Sequence, residues 1–216
     1  MVGVRWRAAG QSAPGQWGGA MRVQEYVVNC TLSVILIVGV YQFYFLTQRV
    51  DPRRVRVFNS PIDNGIPFWP AWSWVYSCLY YPGILYLNWT VRDAREFTRM
   101  AFSFIVLLGM QMACFYVYPV ATPPPWRQMN HGSSWSERLL RLVRRYDRES
   151  NCFPSMHVSV ATLTAFHMSR TLGPSAFAFP ILILLSCLFT KQHYLIDLPA
   201  GALLGWVAYG AYRWMT

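Results

Sequence analysis

Residues 26–48, 64–91, 100–126, 150–169 and 171–190 contain no Asp, Glu, Lys or Arg, and a sixth apolar stretch, 193–212, contains only Asp197. Crossing a hydrocarbon core about 30 Å thick takes about 20 apolar residues in a helix. Each stretch approaches or exceeds that length. Six crossings in 216 residues leave no room for a separate soluble domain. The chain therefore reads as all-α: one polytopic membrane domain over 25–216, with spans at about 26–47, 68–90, 100–119, 155–170, 174–190 and 193–212.

Charge supports this. Only 13% of the residues are charged, against about 25% in an average soluble domain. The net charge is +10, and all but one of the 19 basic residues are arginine. They sit in short loops between apolar runs, where anionic lipid headgroups account for them and a nucleic-acid partner does not. Of the five cysteines only Cys152 lies outside the apolar interiors, and all five read as small buried hydrophobes. Residues 1–24, rich in Gly, Ala, Arg and Trp, are expected to be disordered or interfacial. They lack the pattern of a cleaved signal peptide, and Met21 offers an alternative start.

Two local signals stand between and within the spans. Ser134 and Glu137 have capping-box spacing. After them Trp135, Leu139, Leu142, Val143 and Tyr146 recur on one helical side, with Arg138, Arg141, Arg144, Arg145 and Arg148 on the other. That is an amphipathic helix lying in the membrane interface. Gly201 and Gly205 form a Gly-x-x-x-Gly, which lets the last helix pack closely on a neighbour.

With six spans, alternate loops share one face of the membrane. Asp63, Arg127, Ser155, His157, Lys191, His193 and Asp197 all fall on that face. His193 and Asp197 are four apart, so a helix would place them on one side. The carboxylate can then accept the ring Nδ1–H and leave Nε2 as base or nucleophile. His157 is one hairpin away, near the same surface. Two histidines and an aspartate could also bind a metal. The neighbouring Arg127, Ser155 and Lys191, with the N–H groups of a helix start after Pro154, favour an anion instead. His167, about 15 Å further along its helix from His157, reads as packing.

Pro154-Ser155-Met156-His157 with His193-x-x-x-Asp197 resembles the second and third signatures of the type 2 phosphatidic acid phosphatase superfamily, which includes the vanadium haloperoxidases. Met156, the context "KQHYLIDLPAG" and the proline-rich "YPVATPPPWR" are similar to the branch containing inositol phosphorylceramide synthases. The resemblance covers roughly residues 60–212. It implies a lipid phosphate phosphatase, or a phosphotransferase of that branch, acting on a lipid-linked phosphate without cofactor or metal. His193 would attack phosphorus, oriented by Asp197, and His157 would protonate the leaving oxygen. Arg127, Ser155 and Lys191 would bind the phosphoryl oxygens. The chain departs from the common motifs at Val120, where a Lys is usual, at Gln128, where a Pro is usual, and at Cys187, where an Arg is usual. The resemblance also implies an outward or luminal active face, against a slight excess of basic residues on that face; the expectation is a plasma-membrane protein with its active face outward. A non-enzymatic reading, such as a bis-histidine haem carrier or a degenerate family member, stays open. The sequence sets no oligomeric state.

Overall fold

The computed structural model describes residues 23–49, 51–58, 60–129, 132–146 and 150–216. It is mostly helical, 78% helix and 3% strand. The expectation for residues 1–24 falls almost wholly outside the described residues, and Val23 and Gln24 already belong to the first helix, α1 (Val23–Thr47).

Three helical stretches are long and apolar enough to cross a membrane: Val23–Thr47, Ala94–Val117 and Met156–Phe189. The third is folded in two. α8 (Met156–Leu172) stops at Gly173, whose φ of +60° suits a residue without Cβ. A 3₁₀ turn, Gly173–Phe177, then leads into α9 (Ala178–Phe189). The return brings Cys187 Sγ within 4.0 Å of Ser155 Oγ. Large apolar side chains point outward all round: Ile35 and Phe43 on α1, Ile105 on α5 (Ala94–Val117), Ile181 on α9, and Leu203 and Trp206 on α10 (Asp197–Trp214). So much exposed apolar surface has no place in water. This is a membrane protein.

The expected second span is not one helix. After a short α2 (Pro61–Gly65), residues 70–90 run as a 3₁₀ turn (Pro70–Trp72), a π-helical turn (Val75–Leu79), α3 (Tyr80–Leu85) and α4 (Leu87–Thr90). Pro82 has no N–H to return to the preceding turn, and the widened turn before it re-aims the side chains of 75–79. α5 begins earlier than the apolar run suggests. Asp93 caps it by accepting from Glu96 N at 2.7 Å, and Glu96 accepts from Arg92 N at 3.0 Å.

α8 is the central helix, buried along most of its length. α10 lies against it through the glycine pair: a Cβ on Gly201 would stand 2.5 Å from the Ser155 carbonyl oxygen, and one on Gly205 would meet the Ser159 carbonyl oxygen. His167 is a satisfied packing residue, with Nε2 3.0 Å from Ser103 Oγ and its ring edge-on to Tyr212. At one end of the bundle the connecting segments are laced together. β1 (Arg56–Val57) pairs in parallel with β2 (Val120–Ala121), Val120 also bridges to Asn151, and the Tyr194 hydroxyl donates to Phe58 O and Ala121 O.

Between α6 (Pro124–Gln128) and α8 lies α7 (Trp135–Tyr146). The capping box forms, with Glu137 N donating to Ser134 Oγ at 3.3 Å and Ser134 N to Glu137 Oε2 at 3.2 Å. The Ser134 hydroxyl, donating to Glu137 Oε2 at 2.7 Å, holds the Glu137 carboxyl below its ordinary range, with the Ser134 N–H adding to it. Arg148 lies outside the described residues. Trp135, Leu142 and Tyr146 are exposed, while Leu140 and Arg144 are buried. Arg144 was expected on the outer, polar side. Instead its guanidinium donates to Thr190 O at 2.8 Å and Arg127 O at 3.1 Å. A planar fork bridges two segments that a single apolar side chain could not join. Arg144→Ala is expected to destabilise the protein by roughly 3 kcal/mol, since each buried carbonyl left unpaired costs about 1–3 kcal/mol. Arg144→Lys should recover little. Thermal unfolding in detergent measures both, and an unchanged midpoint would show that these bonds carry no stability.

Candidate active site

Asp197 is the first residue of α10 and Ser155 the N-cap of α8, so both termini meet where the two helices pack. Ser155 N donates to Asp197 O at 3.0 Å, which fixes one helix start against the other. His157 and His193 line a common cavity of about 300 Å³, their ring centroids 6.2 Å apart. Tyr44, Tyr76, Tyr80 and Tyr146 supply aromatic walls, and Thr122, Asn151, Gln192 and Arg127 supply polar ones.

The two imidazoles are held differently. His193 Nδ1 lies 2.8 Å from the Cys152 carbonyl oxygen and 3.4 Å from Asp197 Oδ2. A carbonyl can only accept, so Nδ1 carries the proton and Nε2 keeps its lone pair. The sequence pointed to Asp197 as the acceptor; the backbone of Cys152 is closer. Asp197 Oδ2 is occupied otherwise, by Tyr194 N at 2.7 Å and Cys152 Sγ at 2.9 Å. Asp197 Oδ1 is buried with no hydrogen-bond partner among the described residues. His157 stacks on Tyr76 at 4.1 Å between centroids, with its Nδ1 3.2 Å from the Tyr76 hydroxyl. When the Tyr76 oxygen accepts from Nδ1–H, the imidazolium form of His157 holds its second proton on Nε2. One ring then offers a lone pair and the other a proton, the complement that nucleophilic and general acid chemistry needs.

The three expected anion ligands are placed unequally. Arg127 is half-buried on the cavity wall and donates to Arg144 O at 3.2 Å. Ser155 is fully buried off that wall, its Oγ accepting from Val158 N at 3.4 Å. Lys191, also off the wall, donates to the Asp63 carbonyl and lies 4.9 Å over the Trp126 ring. Its φ of +55° is unusual for a residue with a side chain. Burial lowers its ammonium from the ordinary lysine value, with the Asp63 carboxylate opposing. Asp63 is a tie rather than a wall residue: its Oδ1 accepts from Leu195 N at 2.7 Å.

Sequence reasoning missed three residues here. Tyr76 is one of several tyrosines in its run, and only the π-helical turn aims it at His157. Arg144 is one arginine among four on its helix. Cys152 did have a signal, since it lies between the loop and the Pro-Ser pair, yet it reads as a small hydrophobe. Its Sγ, His193 Nδ1 and an Asp197 carboxylate oxygen all lie within 4.8 Å of one another, a set of donors that could hold a metal.

A family model described as the PAP2 superfamily matches residues 61–211. No curated protein matches the chain.

Proposed function

The chain belongs to the PAP2 superfamily, whose members are generally phosphatases or phosphotransferases, and on that premise we propose that it is an integral membrane enzyme that hydrolyses a lipid-linked phosphate through a phosphohistidine. His193 Nε2 attacks phosphorus as the bond to the leaving oxygen breaks, and His157, entering this step as the imidazolium, gives that oxygen its Nε2 proton and is left neutral. Water then attacks the phosphohistidine, His157 takes a proton back, and phosphate leaves. The Cys152 carbonyl and Asp197 hold the attacking ring, and each charge-assisted contact gains strength in a site bordered by hydrocarbon. Arg127 offsets charge on the phosphoryl oxygens. Ser155 contributes through the start of α8 that it caps. For Lys191 to reach a phosphoryl oxygen its ammonium must leave the Asp63 carbonyl.

The observation that carries this reading is the pair of histidines facing one cavity, with Nδ1 held by a carbonyl in one and by a tyrosine hydroxyl in the other. The membrane plan that goes with it has six crossings: α1, residues 70–90, α5, α8, α9 with its leading turn, and α10. The site then lies at one surface, and we place it on the outer face of the plasma membrane.

One feature favours a second reading, transfer to an alcohol as in the inositol phosphorylceramide synthase branch. Thr122, Asn151 and Gln192 line the same cavity, which at about 300 Å³ holds more than a phosphate. A polyol seated there would replace water in the second step. Detergent-purified protein is expected to release phosphate from at least one of a panel of lipid phosphates, with chelator present. If excess inositol diverts product from free phosphate to inositol phosphate, the enzyme is a transferase. If neither product forms from any lipid, the enzymatic reading fails.

A further inference from the structure

Cys152, His193 and Asp197 present a thiol, an imidazole nitrogen and a carboxylate to one point, and all three residues are buried. Sγ–Nδ1 is 3.6 Å, Nδ1–Oδ2 is 3.4 Å and Sγ–Oδ2 is 2.9 Å. In a tetrahedral zinc site, with Zn–S about 2.3 Å and Zn–N or Zn–O about 2.0–2.1 Å, neighbouring donors stand about 3.3–3.6 Å apart. Two of the three edges already match, and the third opens by less than an ångström when the Cys152–Asp197 hydrogen bond gives way. A second feature is independent of these distances: Asp197 Oδ1 is buried and lacks a hydrogen-bond partner among the described residues. Oδ2, the oxygen in that triangle, already accepts from Tyr194 N, so it is a cation reaching both carboxylate oxygens that relieves the burial cost at Oδ1. Lys191, whose charge would oppose a cation, has its ammonium on the Asp63 carbonyl and over the Trp126 ring instead.

The geometry points to a binding site for a zinc-like divalent cation formed by Cys152 Sγ, His193 Nδ1 and the Asp197 carboxylate. Cys152 and His193 also line the cavity. Binding releases the Cys152 thiol proton to water, and the His193 proton moves from Nδ1 to Nε2. Thiolate, carboxylate and divalent cation then sum to zero charge, which suits a low-dielectric surround. The site is inhibitory. With Nε2 protonated and a cation on the same ring, His193 has no lone pair for phosphorus. That consequence rests on the phosphohistidine reading; the binding itself does not.

Cobalt(II) titration of the detergent-purified full chain tests the site without using activity. One equivalent is expected to give a near-ultraviolet thiolate-to-cobalt charge-transfer absorption that zinc displaces. Cys152→Ser, which keeps a hydroxyl to donate to Asp197, should lose the band and still elute as the wild type does. Cys78→Ser, at an exposed cysteine, should keep it. No band in the wild type, or a band that survives Cys152→Ser, overturns the site. A cobalt band without phosphate release from any lipid would leave the site standing and remove the enzymatic reading. Release without a band would do the reverse.

Discussion

Replacing His193 with alanine is expected to lower phosphate release by about 10,000-fold or more, because on the proposed mechanism it deletes the atom that bonds to phosphorus. Losing the nucleophile of a catalytic unit costs about as much as losing the whole unit, and what remains comes from binding and charge stabilisation alone. The chemistry gives a second readout. Wild-type protein quenched in base during turnover should carry phosphate in an acid-labile, base-stable linkage, as phosphorus on imidazole nitrogen does. His193→Ala should carry none. His157→Ala removes the proton donor and should fall by about 100- to 10,000-fold. Its loss should shrink for an activated ester whose leaving group needs no proton. If His193→Ala keeps a tenth of wild-type turnover, the nucleophile is elsewhere and the assignment of both histidines goes with it.

The second large effect is expected from a residue that touches no substrate. A Cβ on Gly201 would lie 2.5 Å from the Ser155 carbonyl oxygen and 3.4 Å from Ser155 N. Backbone cannot rotate away as a side chain can, so Gly201→Ala must push the start of α8 off α10. The displaced turn is the one that carries His157 and that bonds Asp197 O through Ser155 N. A misplacement of about 1 Å at reacting groups costs about 100-fold in rate, and overpacking of this kind costs about 1–3 kcal/mol of stability. Gly201→Ala should therefore lose both. Gly210, on the same helix, has nothing within 4 Å of an added Cβ. Gly210→Ala should be neutral in rate and slightly stabilising through helix propensity. Comparing kcat/KM and unfolding midpoints of the two variants checks the argument. Equal behaviour would mean that α8 and α10 adjust without moving the site.

What could be read from the chain in advance follows from what kind of physics each feature uses. Apolar run length dictated helices and a membrane setting, and α1, α5, α8, α9 and α10 lie where those runs do. Spacing dictated that Gly201 and Gly205 form a contact face and that Ser134 and Glu137 cap a helix. The broken passage at 70–90 was not legible, because hydropathy counts residues and does not register the donor missing at Pro82. The burial of Arg144 was hidden for a related reason. A buried arginine satisfied by carbonyls of other segments has the same letter as a solvated one, and only the tertiary fold supplies Thr190 and Arg127 to Arg144. At the site, the letters His157, His193 and Asp197 were visible, whereas the acceptor for His193 Nδ1 is a backbone oxygen, which every residue has and no sequence advertises.

The meeting of α8 and α10 also sets an order of events during synthesis. Asp197 opens α10, Ser155 N needs the Asp197 carbonyl, and Gly201 is the floor on which the turn before His157 rests. A ribosome that has made residues 150–190 has produced His157 with neither its facing histidine nor its supporting helix. The half-site can cleave nothing until α10 has been translated and has docked. The activity proposed for this protein would thus be withheld from the bilayer that receives it until its own insertion has gone past that helix.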